Sequence, residues 1–559
     1  MPLQPMVSGR RHMISAGHWL ATEAGHAILE AGGNAVDAAV AAGIALGVLH
    51  ADQVQFSGVA PMIIHLRETG ETVSIAGLGW WPKAADIGVF EAQHGGSIPQ
   101  GILRTVVPAA PDAWLLALAR YGTMSFGEVA HAAIRHARDG FCVHPVMAHF
   151  IGQFADNYRR WPQNAAIFLP GGAPPREGDL FVQSDLARSL QYMADEESAA
   201  AAGGRLAGLA AARDAFYRGD LAIAMAAYHA GNGGWLTRED LAEYRSVIEP
   251  PVRRMVDGTA VYSCGPWCQG PVLLQFLTVL EGIDLRSLGH NSAAYVHLLA
   301  EAMKLGFADR ERFYGDPRFV DVPLARLLSP AYAATQRARI DPARAAPAMP
   351  EPGEPGLWNS ADPALVGDTS YVCTVDRWGN AVSATPSDTS WESPVIPGLG
   401  FVPSSRGSQS WGRQGHASSL APGKRPRLTP NPALAIRPGE WVMPFGGPGG
   451  DLQPQALLQV YLNRTAFGMS MPEAVEAPRF VTHSFPGSFE PHAYHPGRLD
   501  VEEPIGQEAG EVLAALGHQI QWRPALSLNT AGVMAISRRE DGLLQGGADP
   551  RRAARVMGW

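Results

Sequence analysis

A threonine hydroxyl stands at the head of a strand–turn–strand pattern that runs Gly367-Asp368-Thr369-Ser370-Tyr371-Val372-Cys373-Thr374-Val375-Asp376 and then Arg377-Trp378-Gly379-Asn380-Ala381-Val382-Ser383. β-Branched and small residues flank Asp376 to Asn380, which carries turn chemistry, so a hairpin of central strands is expected. A threonine hydroxyl is a weak nucleophile until a base takes its proton. The α-amine of the same residue is such a base, at hydrogen-bonding reach and with an ordinary pKa of about 7.7–8.0. That amine exists only once the Asp368–Thr369 peptide is broken. On these residues alone Thr369 is either an ordinary strand threonine or a nucleophile that the chain itself unmasks.

Acyl transfer also needs donors aimed at the developing oxyanion. Gly446-Gly-Pro-Gly-Gly450 ends in two residues without Cβ, so the backbone N–H groups of Gly449 and Gly450 can approach a ligand closely. The run lacks both the Gly-Lys-Ser/Thr ending of a phosphate loop and the Rossmann spacing. No Gly-x-Ser-x-Gly elbow is present, which argues against an α/β-hydrolase. His483, Glu490, His492 and His495 are irregularly spaced in a Pro/Gly-rich segment and read as a solvated loop rather than a metal site. Cys264-x-x-x-Cys268 has no second pair at zinc-finger spacing, and with Cys142 and Cys373 it makes no disulfide framework for so long a chain. No metal and no cofactor are expected.

The positioning elements are legible in outline. Asn34 caps a helix with Asp37 in its first turn, Gly32-Gly33 ends the helix before it, and Ala38 to Leu49 is apolar all round, as an enclosed helix must be. Val59 to Leu66 reads as strand. From Pro108 to about Tyr332 the pattern is mainly helical, with a capped start at Thr237-Arg-Glu-Asp240 and an amphipathic stretch from Ala293 to Phe313. Asp341 to Asp368 is rich in Pro, Ala and Gly and reads as an exposed loop leading to Thr369. Strand signals follow, then helices near Gln455 to Ala466 and within Glu502 to Leu516. These periods alone give a mixed α and β chain.

Composition narrows the partners. With 559 residues, 46% hydrophobic and 17% charged, the chain has material for one large core and no linker dividing it. A net charge of −9 with dispersed basic residues gives no footprint for nucleic acid or an anionic membrane, so small molecules are expected. The first residues lack the apolar region of a secretory signal, and the run Ala38 to Leu49 is too short to span a bilayer, so a cytoplasmic location is expected.

The segment opening at Thr369 resembles the start of the small subunit in the γ-glutamyltransferase family of N-terminal-nucleophile (Ntn) hydrolases. Similar matches run in the family's order: Leu20 to Gly25 with Leu29 to Ala39, Asp214 to Gly219, Leu236 to Leu241, Glu301 to Lys304 with Phe307 to Arg310, Gly423 to Pro426 and Gly446 to Gly450. The resemblance implies an α+β, four-layer αββα sandwich with two antiparallel sheets between helical layers. It also implies autocatalytic cleavage after Asp368, by attack of the Thr369 hydroxyl on the Asp368 carbonyl. The products would be a large subunit of residues 1–368 and a small subunit of residues 369–559, packed as one unit; pairing of this heterodimer into a homo-oligomer stays open. By the same resemblance Ser387 contacts the nucleophile, Gly449 and Gly450 form the oxyanion hole, and Thr429 falls in a substrate-contacting segment.

The chain departs from the family at the acyl site. Members that take γ-glutamyl groups hold the α-carboxylate with a large-subunit arginine at a loop that here reads Ala76-Gly-Leu-Gly-Trp-Trp-Pro-Lys83, without one. The small-subunit Asn, Gln and Asp that hold the glutamyl head correspond approximately to Thr389, Arg406 and Gln409, so the acidic acceptor for an ammonium is missing. Arg406 offers a carboxylate clamp from another direction, and Trp80 and Trp81 are candidates to face an apolar acyl group. The expected activity is amide hydrolysis or acyl transfer on a γ-glutamyl or similar small acyl amide. The alternatives are an acylase for a non-glutamyl amide and an uncleaved binding protein.

Overall fold

The computed structural model describes residues 2–350 and 368–559. Two seven-stranded sheets lie at its centre, and among the described residues their strands pair antiparallel throughout. One sheet runs in the order Arg555–Gly558, Met13–Ala16, Val372–Val375, Ala381–Ala384, Met62–His65, Thr72–Ile75, Ile248–Glu249. The other runs Val7–Gly9, Leu544–Ala548, Met534–Arg539, Trp441–Gly446, Ala433–Arg437, Thr259–Ser263, Val252–Val256. Their facing sides meet in an apolar layer that includes Met13, Ile63, Tyr371, Cys373, Leu434, Val442 and Ile536.

Helices cover both outer faces. Trp19–Glu30, Ala35–Leu49, Phe126–Asp139 and Arg205–Tyr217 pack over the first sheet, and Pro271–Leu280, Ala293–Phe313 and Gln453–Thr465 over the second. This is the αββα sandwich that the resemblance implied.

Helix Ala35–Leu49 shows why the local reading worked. Asn34 and Asp37 form a capping box, and all fifteen residues are buried. Its small residues permit close packing: a Cβ at Gly43 would sit 2.5 Å from the Trp114 ring. The helix lies on the hairpin strands Val372–Val375 and Ala381–Ala384, and Asp376 ties the two together, one oxygen accepting from Ala35 N–H (3.0 Å) and the other from Trp378 and Asn380 N–H in the turn.

Some expectations need correction. The stretch from Pro108 to Tyr332 is mainly helical as expected, but it also holds strands that the helical reading did not separate, among them Val252–Val256 and Thr259–Ser263 of the second sheet. Helix Ala293–Phe313 is buried on nearly every side rather than amphipathic. Its charged residues are neutralised internally, as in Lys304–Glu301 (2.7 Å) and Arg310–Glu311 (2.8 Å). Of the loop expected over 341–368, residues 351–367 lie outside the described residues; 341–350 form neither helix nor strand, and Asp368 is buried.

Candidate active site

Thr369 begins immediately before strand Val372–Val375 and is 1% exposed. Its backbone is held by a contact the sequence did not reveal: the Gln53 carbonyl, just beyond helix Ala35–Leu49, accepts from both Thr369 N–H and Asp388 N–H at 3.1 Å. Thr369 has φ +82°, a region costly for a β-branched residue, on the order of 1–3 kcal/mol. The strained dihedral includes the Asp368–Thr369 peptide, and breaking that bond abolishes it.

The side chains form a chain of charge-assisted hydrogen bonds. Thr369 Oγ1 lies 2.5 Å from Asp368 Oδ1 and 2.6 Å from Ser387 Oγ. The carboxylate only accepts, so the threonine proton points to Asp368 and Ser387 donates to Thr369 Oγ1. Arg406 binds Asp368 Oδ2 (2.5 Å) and donates to Ser387 Oγ, while its Nε lies 3.7 Å from Asp388 Oδ2. Asp388 is the acid that the sequence reading overlooked. It has φ +149° and is fully buried; it accepts from the Ser404 hydroxyl (2.6 Å) and from the Ser405 hydroxyl and N–H. Burial pushes its carboxyl above the ordinary carboxylate range, against the pull of Arg406. Three donors meet Oδ1, and Oδ2 faces the Arg406 guanidinium beside the Ser404 hydroxyl, so an ammonium at this carboxylate would meet a cation already in place.

The remaining candidates separate into two places. Gln409 donates to Thr429 Oγ1 (2.8 Å) and accepts from Thr429 N–H (3.3 Å), so these two form one unit beside the turn Arg406–Gln409. Thr389 is buried, with its N–H on Asp388 Oδ1 (3.1 Å) and its hydroxyl unpaired. Trp81 is fully buried among Phe90, Ile98, Val106 and Leu420, donating to Ser410 Oγ (2.9 Å). Its ring supports the Arg406 turn, since a Cβ at Gly407 would meet it at 2.5 Å. Trp80 packs on Tyr244 under the Arg318 guanidinium.

Gly449 (φ +134°) and Gly450 (φ +55°) adopt conformations suited to glycine, and a Cβ at Gly449 would lie 2.7 Å from Ala531 Cβ. Among the described residues neither N–H has an acceptor, and both glycines line a cleft of about 410 Å³. Gln269 fixes this loop, donating to the carbonyls of Thr429 and Gly450 at 2.8 Å, and is itself held by Arg310 (3.0 Å). Phe489 lines the cleft and carries Arg406 over its ring at 5.7 Å. The segment expected to be a solvated loop is in fact cleft wall: His483, Glu490 and His495 line it, and buried His492 stacks on Trp411.

A buried threonine hydroxyl with a carboxylate on its proton, and a pair of glycine N–H groups facing a cleft, are groups with which an acyl-transfer site on an αββα sandwich can be built. The chain matches the gamma-glutamyltranspeptidase family over residues 21–559 and belongs to it. It is 36% identical over 97% of its length and 92% of the relative's to an Acylase ACY 1 proenzyme of Pseudomonas sp. (strain SE83). It is 30% identical to the glutathione hydrolase proenzyme of Escherichia coli (strain K12), over 98% and 91% of the two chains. A cephalosporin acylase from Bacillus halodurans superposes with a TM-score of 0.86 at 28% identity, covering 100% of this chain and 97% of that one. Among the described residues no helix is long and apolar enough to cross a membrane.

Proposed function

We propose that the chain cuts itself after Asp368 and then hydrolyses amides whose acyl half ends in a carboxylate, with Thr369 as nucleophile. The observation that carries this reading is the placement of Thr369 Oγ1 between Asp368 Oδ1 and Ser387 Oγ, with Arg406 holding the Asp368 carboxylate. In the precursor no α-amine exists, and Asp368 is the base in place. It takes the hydroxyl proton as Oγ1 attacks the Asp368 carbonyl carbon; the C–N bond breaks, nitrogen gains a proton, and water hydrolyses the resulting ester. The new α-amine, oriented by the Gln53 carbonyl, then serves as base for turnover. Gly449 and Gly450 N–H stabilise the oxyanion, the leaving amine takes the proton, and water or another amine resolves the acyl-enzyme.

Asp368 itself illustrates the acyl group. Two carbons separate its carbonyl, the one attacked, from the carboxylate that Arg406 clamps, the span of a succinyl group. When Asp368 departs, a substrate carboxylate restores the ion pair at Arg406. A glutaryl or succinyl group meets that need, whereas a γ-glutamyl group brings an ammonium, and the nearby carboxylate of Asp388 already faces Arg406. Arg104 does not replace the missing clamp, being committed to Glu392 (3.1 Å) and to the Ile98 and Pro99 carbonyls. The deciding assay compares kcat/KM for glutaryl, succinyl, γ-glutamyl and arylacetyl anilides; the arylacetyl compound turning over fastest would overturn the reading.

The base predicts the pH profile. The rate rises with pH as the Thr369 ammonium loses its proton, with a midpoint at or below about 8, since burial without a counter-charge lowers an amine pKa. Reductive methylation does not settle the matter, because a tertiary amine is still a base. Acetylation of the new N-terminus removes the base and is expected to abolish turnover; full activity of an acetylated enzyme, verified by mass, would exclude the amine.

A further inference from the structure

The cleft that Gly449 and Gly450 line is also lined by arginines whose charges do not balance among the described residues. Arg498 and Arg523 line it and share one carboxylate, Asp500, at 2.8 and 2.7 Å, with His483 3.4 Å away. Arg552 also lines it, and belongs to a buried group of three guanidiniums (Arg479, Arg551, Arg552) and two carboxylates (Glu502, Asp549). Glu502 is bound to Arg551 at 2.6 Å; Asp549 is bound to Arg479 at 2.6 Å and Arg551 at 3.1 Å. Arg552 is left over. It is 7% exposed; among the described residues it donates to the carbonyls of Arg551 (3.3 Å) and Leu528 (3.2 Å), its Nε has no hydrogen-bond partner, and no carboxylate lies within ion-pair distance, Asp549 acting on it only from further away. The acidic groups of the cleft do not serve it, since Asp451 is paired with Arg310 and Glu490 takes the Ser97 hydroxyl (2.6 Å) beside His492.

A buried cation without a counter-ion is costly unless a ligand supplies the anion. The stem of Arg552 lies against Gly532, whose N–H bonds the Pro448 carbonyl one residue before Gly449, so this charge stands one backbone layer behind the oxyanion glycines. We propose that this arginine-lined part of the cleft is a subsite for the amine half of the substrate and that this half carries a carboxylate, which Arg552 binds with support from Arg498 and Arg523. The inference rests on the amidohydrolase reading. Hydrolysis would then release two anions, a dicarboxylic acid at the Arg406 side and an amino acid-like amine at the Arg552 side.

The test uses the processed enzyme with glutaryl anilide and its 4-carboxy derivative, in wild type and in Arg552→Gln and Arg552→Lys. The ratio of kcat/KM for the carboxylated over the plain anilide is expected to fall about tenfold in Arg552→Gln, through KM, and to recover in part in Arg552→Lys. Comparing ratios between enzymes cancels the intrinsic difference in leaving-group reactivity. Binding of 4-aminobenzoate and of aniline to wild type, followed by calorimetry, is read whether or not either anilide turns over, which separates this subsite from the acyl-site reading. 4-Aminobenzoate is expected to bind more tightly, and raising salt to weaken it selectively. Equal affinity for the two amines, or a ratio unchanged in Arg552→Gln, would overturn the proposal; if that variant does not fold, the calorimetry and its salt dependence decide.

Discussion

Thr369→Ala is expected to remain a single 59.6 kDa chain, while wild type divides into fragments of about 39 and 20 kDa, in proportion to residues 1–368 and 369–559. The smaller fragment should begin Thr-Ser-Tyr-Val-Cys. Ser370 does not rescue the variant: among the described residues its hydroxyl is buried without a partner, while Thr369 Oγ1, one residue earlier, donates to Asp368 and meets Ser387, both of which Arg406 holds. Asp368→Asn keeps the side-chain shape but cannot take the hydroxyl proton, so processing should slow by about a hundredfold or more, as loss of a positioned base does. Intact mass over a time course reads both variants. Wild type that stays whole yet hydrolyses amides would end the Ntn reading, and Asp368→Asn processed at the wild-type rate would remove Asp368 as base.

The second large effect belongs to Arg406. A charge-assisted pair in a dry site contributes about 1.5–3 kcal/mol, so Arg406→Ala should lower kcat/KM for glutaryl anilide about a hundredfold relative to butyryl anilide in the same enzyme. The ratio matters because Arg406 also holds Ser387 and Asp368, and a general loss of activity would move both substrates together. Arg406→Lys keeps the charge without the planar fork and covers the case in which the alanine variant does not process. An unchanged ratio in both variants would take Arg406 out of acyl recognition, and γ-glutamyl anilide turning over as fast as glutaryl would show that other residues accept the ammonium.

What could be read from the sequence was what local chemistry encodes. The Thr369 hairpin, the capping box at Asn34–Asp37 and the one at Thr237–Asp240 depend on neighbours a few residues apart, and all are in place. Gln53 acts through a backbone carbonyl, which any residue type supplies, so its role at Thr369 had no sequence signal. Asp388 was missed beside Thr389 because its reach toward Arg406 depends on a positive φ. Trp81 is a case where sequence offers core packing and a binding role alike; its ring lies beneath the Arg406 turn, a placement set by tertiary packing. The buried charges of Ala293–Phe313 look like a solvated face until Arg427, from a distant segment, pairs with Glu311.

The strand order bears on what becomes of the molecule once the 368–369 bond is gone. Val372–Val375 sits between Met13–Ala16 and Ala381–Ala384; the latter pairs with Met62–His65; Ala433–Arg437 pairs with Thr259–Ser263; and Leu544–Ala548 pairs with Val7–Gly9. Strands from both fragments thus pair with one another in both sheets, and neither fragment holds a complete sheet. Before the cut, folding is unimolecular and the tether keeps partner strands at high effective concentration; afterwards the same structure forms only by collision of two incomplete chains. Maturation therefore changes the molecularity of folding, and an enzyme that survives by never unfolding draws its lifetime from the height of a barrier rather than from an equilibrium it can revisit.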